Sequence, residues 1–214
     1  MTDTIDTATL IDWLHRFRDA VTEKKDWLTE LDSAIGDADH GANMSRGMQA
    51  VAEKIDAAPP ATVDELLKTA GMTLVGSVGG ASGPLYGTFF LRMGMTSGAV
   101  AELDGTALGA ALRAGLEGIV ARGKAEPGDK TLYDAMSPAT SAFDAAIAAG
   151  EDLGAATAAA AGAAAEGRDA TLPLVARKGR ASYLGERSAG HLDPGAASTT
   201  LLFETLAAAV AARG

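Results

Sequence analysis

Large apolar side chains return along this chain every three or four positions, as in Leu10, Trp13, Leu14, Phe17 and Val21, or Met44, Met48, Val51 and Ile55. That is the period of an amphipathic helix, and no stretch shows the two-residue alternation of a half-buried strand, so no strand is expected. Thr62 stands as a cap before a helix over 63–78, and Pro84 sits in the first turn of another over 85–95. The same spacing predicts helices over 108–120, 131–148, 152–165 and 197–212. The Ala- and Gly-rich tract 145–167 reads as tightly packed helix, because alanine is the best helix former and small side chains let helices approach closely. The expected fold is all-α: one domain over 1–214, an antiparallel bundle or barrel of eight helices.

Modest connections between consecutive helices make neighbours antiparallel, so alternate loops share one end. The loops after the first, third, fifth and seventh helices are the Asp-rich segment around Asp32–Asp39, the turn Gly79-Gly80-Ala81-Ser82-Gly83, the segment 122–131, and the long segment 168–196. Each carries residues suited to chemistry. The loops at the other end, near 57–62, 97–106 and 149–151, hold only ordinary turn and cap residues. One functional rim is therefore expected.

At that rim Asp32, Asp37 and Asp39 place three carboxylates within eight residues beside Gly36. Like charges so close repel, and a hard cation relieves them; Mg²⁺ takes carboxylate, phosphate and water oxygens. An EF-hand is excluded, since counting Asp37 as position one puts Ala42 and Met48 where Gly and Glu are required. The chain carries 214 residues, a formal charge of -10 and no cysteine, which excludes a disulfide framework and argues against nucleic acid or an anionic membrane as partner. The start lacks a signal peptide's basic and apolar regions, and no run of about 18 apolar residues occurs, so a cytoplasmic location is expected.

The turn Gly79–Gly83 before a helix suits close backbone approach to an anion, with Ser82 as a hydroxyl donor. Gly123-Lys124-Ala125-Glu126-Pro127-Gly128-Asp129-Lys130-Thr131 nearly matches a Walker loop, but Asp129 is inserted before the lysine and a helix rather than a strand precedes it. A Walker site is rejected; a loop touching part of a nucleotide is retained. In the fourth segment Arg177, Lys178, Arg180 and Arg187 place four cations within eleven residues. They suit either a phosphoryl-transfer site or a solvated basic loop.

Together, Gly36-Asp37-Ala38-Asp39-His40-Gly41, the Gly79–Phe90 motif, Gly123–Thr131, and Gly179–Ser188 with Asp193-Pro194-Gly195 resemble the nucleotide-binding L subunit of dihydroxyacetone kinase across essentially the whole chain. The resemblance implies an eight-helix barrel holding ADP or ATP through Mg²⁺ ions at one rim. It implies Asp32, Asp37 and Asp39 as metal ligands, and His40, Gly41, Ala42, Asn43, Ala81, Ser82, Gly123, Leu132, Arg180, Asp193, Pro194 and Gly195 as nucleotide contacts. Arg180 is also the residue suited to developing phosphoryl charge. His40 is placed with the nucleotide rather than as a nucleophile or metal ligand, since Mg²⁺ prefers oxygen. The ketose is expected on a separate K subunit. Chain length favours the branch in which an M subunit of the phosphotransferase system rephosphorylates bound ADP. An ATP-dependent triose or tetrose kinase, and an ADP-sensing regulatory module, are the alternatives.

Overall fold

The computed structural model describes residues 3–213. Among them the chain forms nine α-helices, one 3-10 segment and two short strands: β1 (Thr4–Asp6), α1 (Thr7–Glu23), α2 (Lys25–Ile35), α3 (His40–Ala57), α4 (Val63–Ser77), α5 (Ser82–Ser97), β2 (Glu102–Asp104), α6 (Gly105–Gly123), α7 (Tyr133–Ala148), α8 (Leu153–Ala170), the 3-10 segment (Arg180–Ser188) and α9 (Pro194–Ala211). Helix α1 packs on α3, each helix from α3 onward packs on the next, and α9 returns to α1. The eight expected helices thus form a closed ring. Helix α2 is a ninth, added at the rim against α3 and α9.

The ring closes around one apolar core that runs from Ile5 to Val210 and includes Trp13, Phe17, Tyr86, Phe89, Phe90, Phe143 and Phe203. Burying such side chains contributes roughly 1.5–3 kcal/mol each, which is what orders helices too short to persist alone. The Ala-rich tract is helical as expected, with Ala156, Ala160 and Ala164 of α8 fully buried. Where Gly167 of α8 meets α7, a methyl group would overlap the Asp134 carbonyl oxygen. Pro138, four residues on, has no N–H to occupy that carbonyl, so the space lets α8 pack directly over it.

The expectation of no strand is corrected at the opposite end. There β1 and β2 pair antiparallel, with Ile5 opposite Leu103, both buried. Three residues cannot display an alternation. Each strand runs straight into a helix whose N-cap is an aspartate: Asp6 Oδ1 accepts from Thr9 N at 2.8 Å, and Asp104 Oδ1 from Ala107 N at 2.8 Å. Thr62 precedes α4 as expected, but its hydroxyl donates to Asp64 Oδ1 at 2.6 Å instead of accepting from the helix.

Candidate functional site

The four chemistry-bearing loops meet at the other rim around a cavity of about 290 Å³. Asp32 is not in a loop: it lies in the last turns of α2, buried, and Asp37 and Asp39 follow in the turn to α3. One oxygen from each carboxylate lies within 4.8 Å of the others. Local sequence makes this possible. A methyl group on Gly36 would overlap Asp32 Oδ1, and one on Gly41 would overlap the Lys25 carbonyl and the Thr29 hydroxyl, so these glycines let the turn and α3 close onto α2. Asp32 Oδ2 accepts from the backbone N–H of Asp39 at 2.8 Å and of His40 at 3.1 Å, capping α3 from another helix. Its Oδ1 accepts no hydrogen bond among the described residues. Three carboxylates, all oxygen donors, fit a hard divalent cation.

His40 begins α3 and is buried. Its Nδ1 lies 3.1 Å from Ser82 Oγ, and its Nε2 2.9 Å from Ser198 Oγ. Burial holds the imidazole down to about 4, against the upward pull of Asp32 and Asp39, so the ring is neutral at neutral pH. Ser198 Oγ is also 2.8 Å from Tyr86 Oη, which is 2.9 Å from Thr199 Oγ1. These contacts join α3, α5 and α9 behind the cavity. Ser82 stands at the start of α5, a sixteen-residue helix, with Gly80 in the left-handed region ahead of it at φ 65°.

The apolar wall comes from Ile35, Leu85, Ile119, Ala125 and Leu132, with Gly123 at its edge. Opposite, the 3-10 segment brings Arg180 to the carboxylates: its Nη2 is 3.0 Å from Asp37 Oδ2, and its side chain is 65% exposed. Asp193, Pro194 and Gly195 complete the lining. Asp193 caps α9, with Oδ2 accepting from Ala196 N at 2.7 Å. Burial pushes its carboxyl up to about 7; that hydrogen bond and Lys130 act against the rise, while Asp134 and Asp32 add to it.

Of the residues expected from sequence, Asp32, Asp37, Asp39, His40, Ala81, Ser82, Gly123, Leu132, Arg180, Asp193, Pro194 and Gly195 line this cavity. Gly41, Ala42 and Asn43 do not; they lie in the first turn of α3 behind it, where Asn43 Oδ1 accepts from Arg46 Nη2 at 2.6 Å. Sequence reasoning passed over Tyr86, Ser198 and Thr199. The run of three adjacent hydroxyls at Ser198, Thr199 and Thr200 in a mostly apolar helix is the signal that could have found two of them. It also left Lys130 without a role. That side chain lines the cavity yet is 1% exposed, and burial pulls its pKa below the ordinary lysine value. Its ammonium faces backbone carbonyls, so the rejected Walker reading is also physically inapt here.

Residues 34–208 match the family described as the DAK2 domain. Over 200 residues the chain is 44% identical to the ADP-binding subunit DhaL of the PEP-dependent dihydroxyacetone kinase of Escherichia coli (strain K12), covering 94% of this chain and 95% of that protein. It is 46% identical over 208 residues to the ADP-binding subunit DhaL of the PTS-dependent dihydroxyacetone kinase of Lactococcus lactis subsp. lactis (strain IL1403), covering 97% and 99%. Among solved structures, the dihydroxyacetone kinase of C. freundii in complex with AMP-PNP and Mg²⁺ superposes with a TM-score of 0.72 at 25% identity. That match covers 97% of this chain and 35% of the other, so this chain spans about a third of it.

Proposed function

The chain belongs to the DAK2 domain family, and from that membership we propose that it is the nucleotide-binding subunit of a dihydroxyacetone kinase, delivering a phosphoryl group to dihydroxyacetone held by a separate K subunit. The observation that carries the reading is the meeting of Asp32, Asp37 and Asp39 with the Ala81–Ser82 turn and an apolar wall in one cavity. Metal and phosphate chemistry has one side, and a planar base the other.

Asp32, Asp37 and Asp39 would hold two Mg²⁺ ions. When bound, Mg-nucleotide supplies the phosphoryl group and neutralises charge on its oxygens. Ser82 and the N-terminus of α5 bind phosphate, and neutral His40 orients the Ser82 hydroxyl. Leu132 with Leu85 and Ile119 excludes water from the adenine face. Arg180, held 3.0 Å from Asp37 Oδ2, would stand beside the phosphoryl group of a metal-bound nucleotide, where a cation helps most as charge redistributes. Asp193, Pro194 and Gly195 shape the far wall. In the phosphotransferase branch, supported by the relatives' names, an M subunit rephosphorylates ADP that stays bound.

Two measurements test the proposal. Denaturing a sample of the purified chain should release ADP identifiable by chromatography, and native chain stripped of nucleotide should bind ADP in calorimetry only when Mg²⁺ is present. The ATP-loaded chain should then transfer phosphate to a dihydroxyacetone-loaded K subunit. Metal-independent binding, or no transfer from a chain shown to be loaded, would overturn it.

A further inference from the structure

The segment 171–193 leaves α8, carries Arg180 out to the rim and returns to α9. It is a loop with a narrow neck. Gly190 N donates to the Leu172 carbonyl at 2.8 Å, and Asp193 N to Thr171 Oγ1 at 3.0 Å. Lys130, from the α6–α7 connection, inserts its ammonium into this neck. Nζ donates to the carbonyls of Thr171 at 2.8 Å and Leu174 at 3.1 Å on the outgoing leg, and of His191 at 2.5 Å on the returning leg. All three ammonium donors are thereby used, and no carboxylate lies within ion-pair distance among the described residues. Lys130 itself sits in the left-handed region at φ 62°, held by Asp134, whose two carboxylate oxygens accept from Gly128 N at 2.6 Å and Thr131 N at 2.8 Å.

A buried charge is costly, and truncating it strands the three carbonyls that it satisfies. Resting on the functional reading above, we infer that Lys130 is a positioning residue for phosphoryl transfer: it staples both legs of the 171–193 loop and so fixes Arg180 opposite the carboxylates, while binding no phosphate itself. Further out, Arg177 N donates to the Asp129 carbonyl at 3.1 Å and Ala176 N to the buried Ser188 Oγ at 2.8 Å, so the Lys130 neck is the one place where a side chain from outside the loop bonds both legs among the described residues. The tip of the loop is seated by a small apolar cluster of Ile35, Ala176, Ala181 and Leu184, and Gly179, Gly185 and Gly190 all have positive φ.

The test compares wild type, Lys130→Met, Arg180→Ala and the double variant. Lys130→Met keeps the length of the side chain and removes its donors. It should speed hydrogen exchange at the amides of Arg177 and Gly190, and leave Mg-ADP affinity within about threefold. Single-turnover transfer to the K subunit should slow by about a hundredfold, as for a group displaced by about 1 Å. In the Arg180→Ala background the same change should cost almost nothing further, because Lys130 acts through Arg180. Additive losses, an affinity loss as large as the loss of transfer, or unchanged exchange would overturn the inference. Should Lys130→Met fail to fold, Thr171→Val opens the returning leg instead, and it must show the same non-additivity with Arg180→Ala. If wild type neither binds nor transfers, the functional reading fails and the positioning role with it, whereas the exchange data still report whether the staple exists.

Discussion

Asp32 serves two masters, and that separates it from the other carboxylates. One of its oxygens belongs to the cluster with Asp37 and Asp39, and its Oδ2 also caps the first N–H groups of α3. Replacing Asp37 or Asp39 by Ala removes charge from a mutually repelling cluster, so Mg-nucleotide affinity should fall with thermal stability unchanged or raised. Asp32→Ala should also lose the cap, at about 1 kcal/mol, and Asp32→Asn should recover that stability without recovering metal binding. Calorimetry and thermal melts on the four variants decide this; equal metal affinity throughout would remove the cluster from consideration. Two further residues make opposed pH predictions for the metal-free chain. Asp193 keeps its proton to about 7 when folded, against an ordinary aspartate value of 3.8, so its contribution is lost as pH rises through that interval. His40 stays neutral down to about 4 against an ordinary 6.5, so its contribution is lost as pH falls from 6.5 toward 4. Between those values each imposes a slope of up to ~1.4 kcal/mol per pH unit, with opposite sign. Wild type should therefore show a shallow profile there. Asp193→Asn should lose stability on acidification and His40→Gln should gain it, as read from urea unfolding at each pH; parallel profiles would contradict both assignments.

Among the elements, those legible in the sequence are the ones whose burial repeats. Leu10, Trp13, Leu14, Phe17 and Val21 are all in the core, as their spacing requires. Helix α2 escaped because only Lys24 separates it from α1, and a lysine in a near-helical bridge conformation at φ -91°, ψ 10° is no breaker by type. The strands escaped because their pairing joins residues about a hundred positions apart over three residues each. At the site, local chemistry was readable and tertiary chemistry was not. The carboxylates, Ser82 and Arg180 stand in compact motifs, whereas the His40–Ser198 contact spans 158 positions and the Lys130–His191 contact 61. The α2–α3 contact supplies its own prediction. Gly41→Ala places a methyl group against the Lys25 carbonyl and must push α2 away. Nucleotide affinity should drop at least tenfold, with a stability loss of roughly 1–3 kcal/mol. The same change at Gly162, where a methyl group meets nothing, should stabilise α8 slightly and leave binding alone. Equal behaviour of the two variants in nucleotide titrations would mean that α2 does not position the metal site.

For the molecule as a whole, the ring of antiparallel helices sends alternate loops to opposite ends, and the two ends have diverged in kind. The end that carries the two strands is tied shut, with Leu153 N donating to Asp3 Oδ2 at 2.7 Å and Val63 N to the Val100 carbonyl at 2.8 Å. The site end stays open. On the reading proposed above its cavity would take a base, phosphates and a metal, while its remaining side is solvent, which leaves a small ketose to be held in line with a terminal phosphate from outside. Orienting two reactants is worth on the order of 7–11 kcal/mol, so the chain loaded with Mg-ATP should phosphorylate free dihydroxyacetone many powers of ten more slowly than it phosphorylates the ketose bound on a K subunit. On that reading the partner would cover this rim. The 3-10 segment gives it a grip in a chain of net charge -10: Arg180 and Arg187 beside Tyr183, an aromatic side chain 87% exposed. Exposed Tyr and Arg are the residue types from which interface hot spots are built, and local cations steer an acidic partner face. Tyr183→Ser should weaken docking by about 2 kcal/mol while leaving Mg-ADP affinity intact. Arg187→Glu should slow association more at low salt than at high salt. Surface binding kinetics with the K subunit, run beside single-turnover transfer, measure both. Robust dihydroxyacetone phosphate formation by the isolated chain would mean that the ketose has a pocket on this subunit, and the open rim would need another explanation.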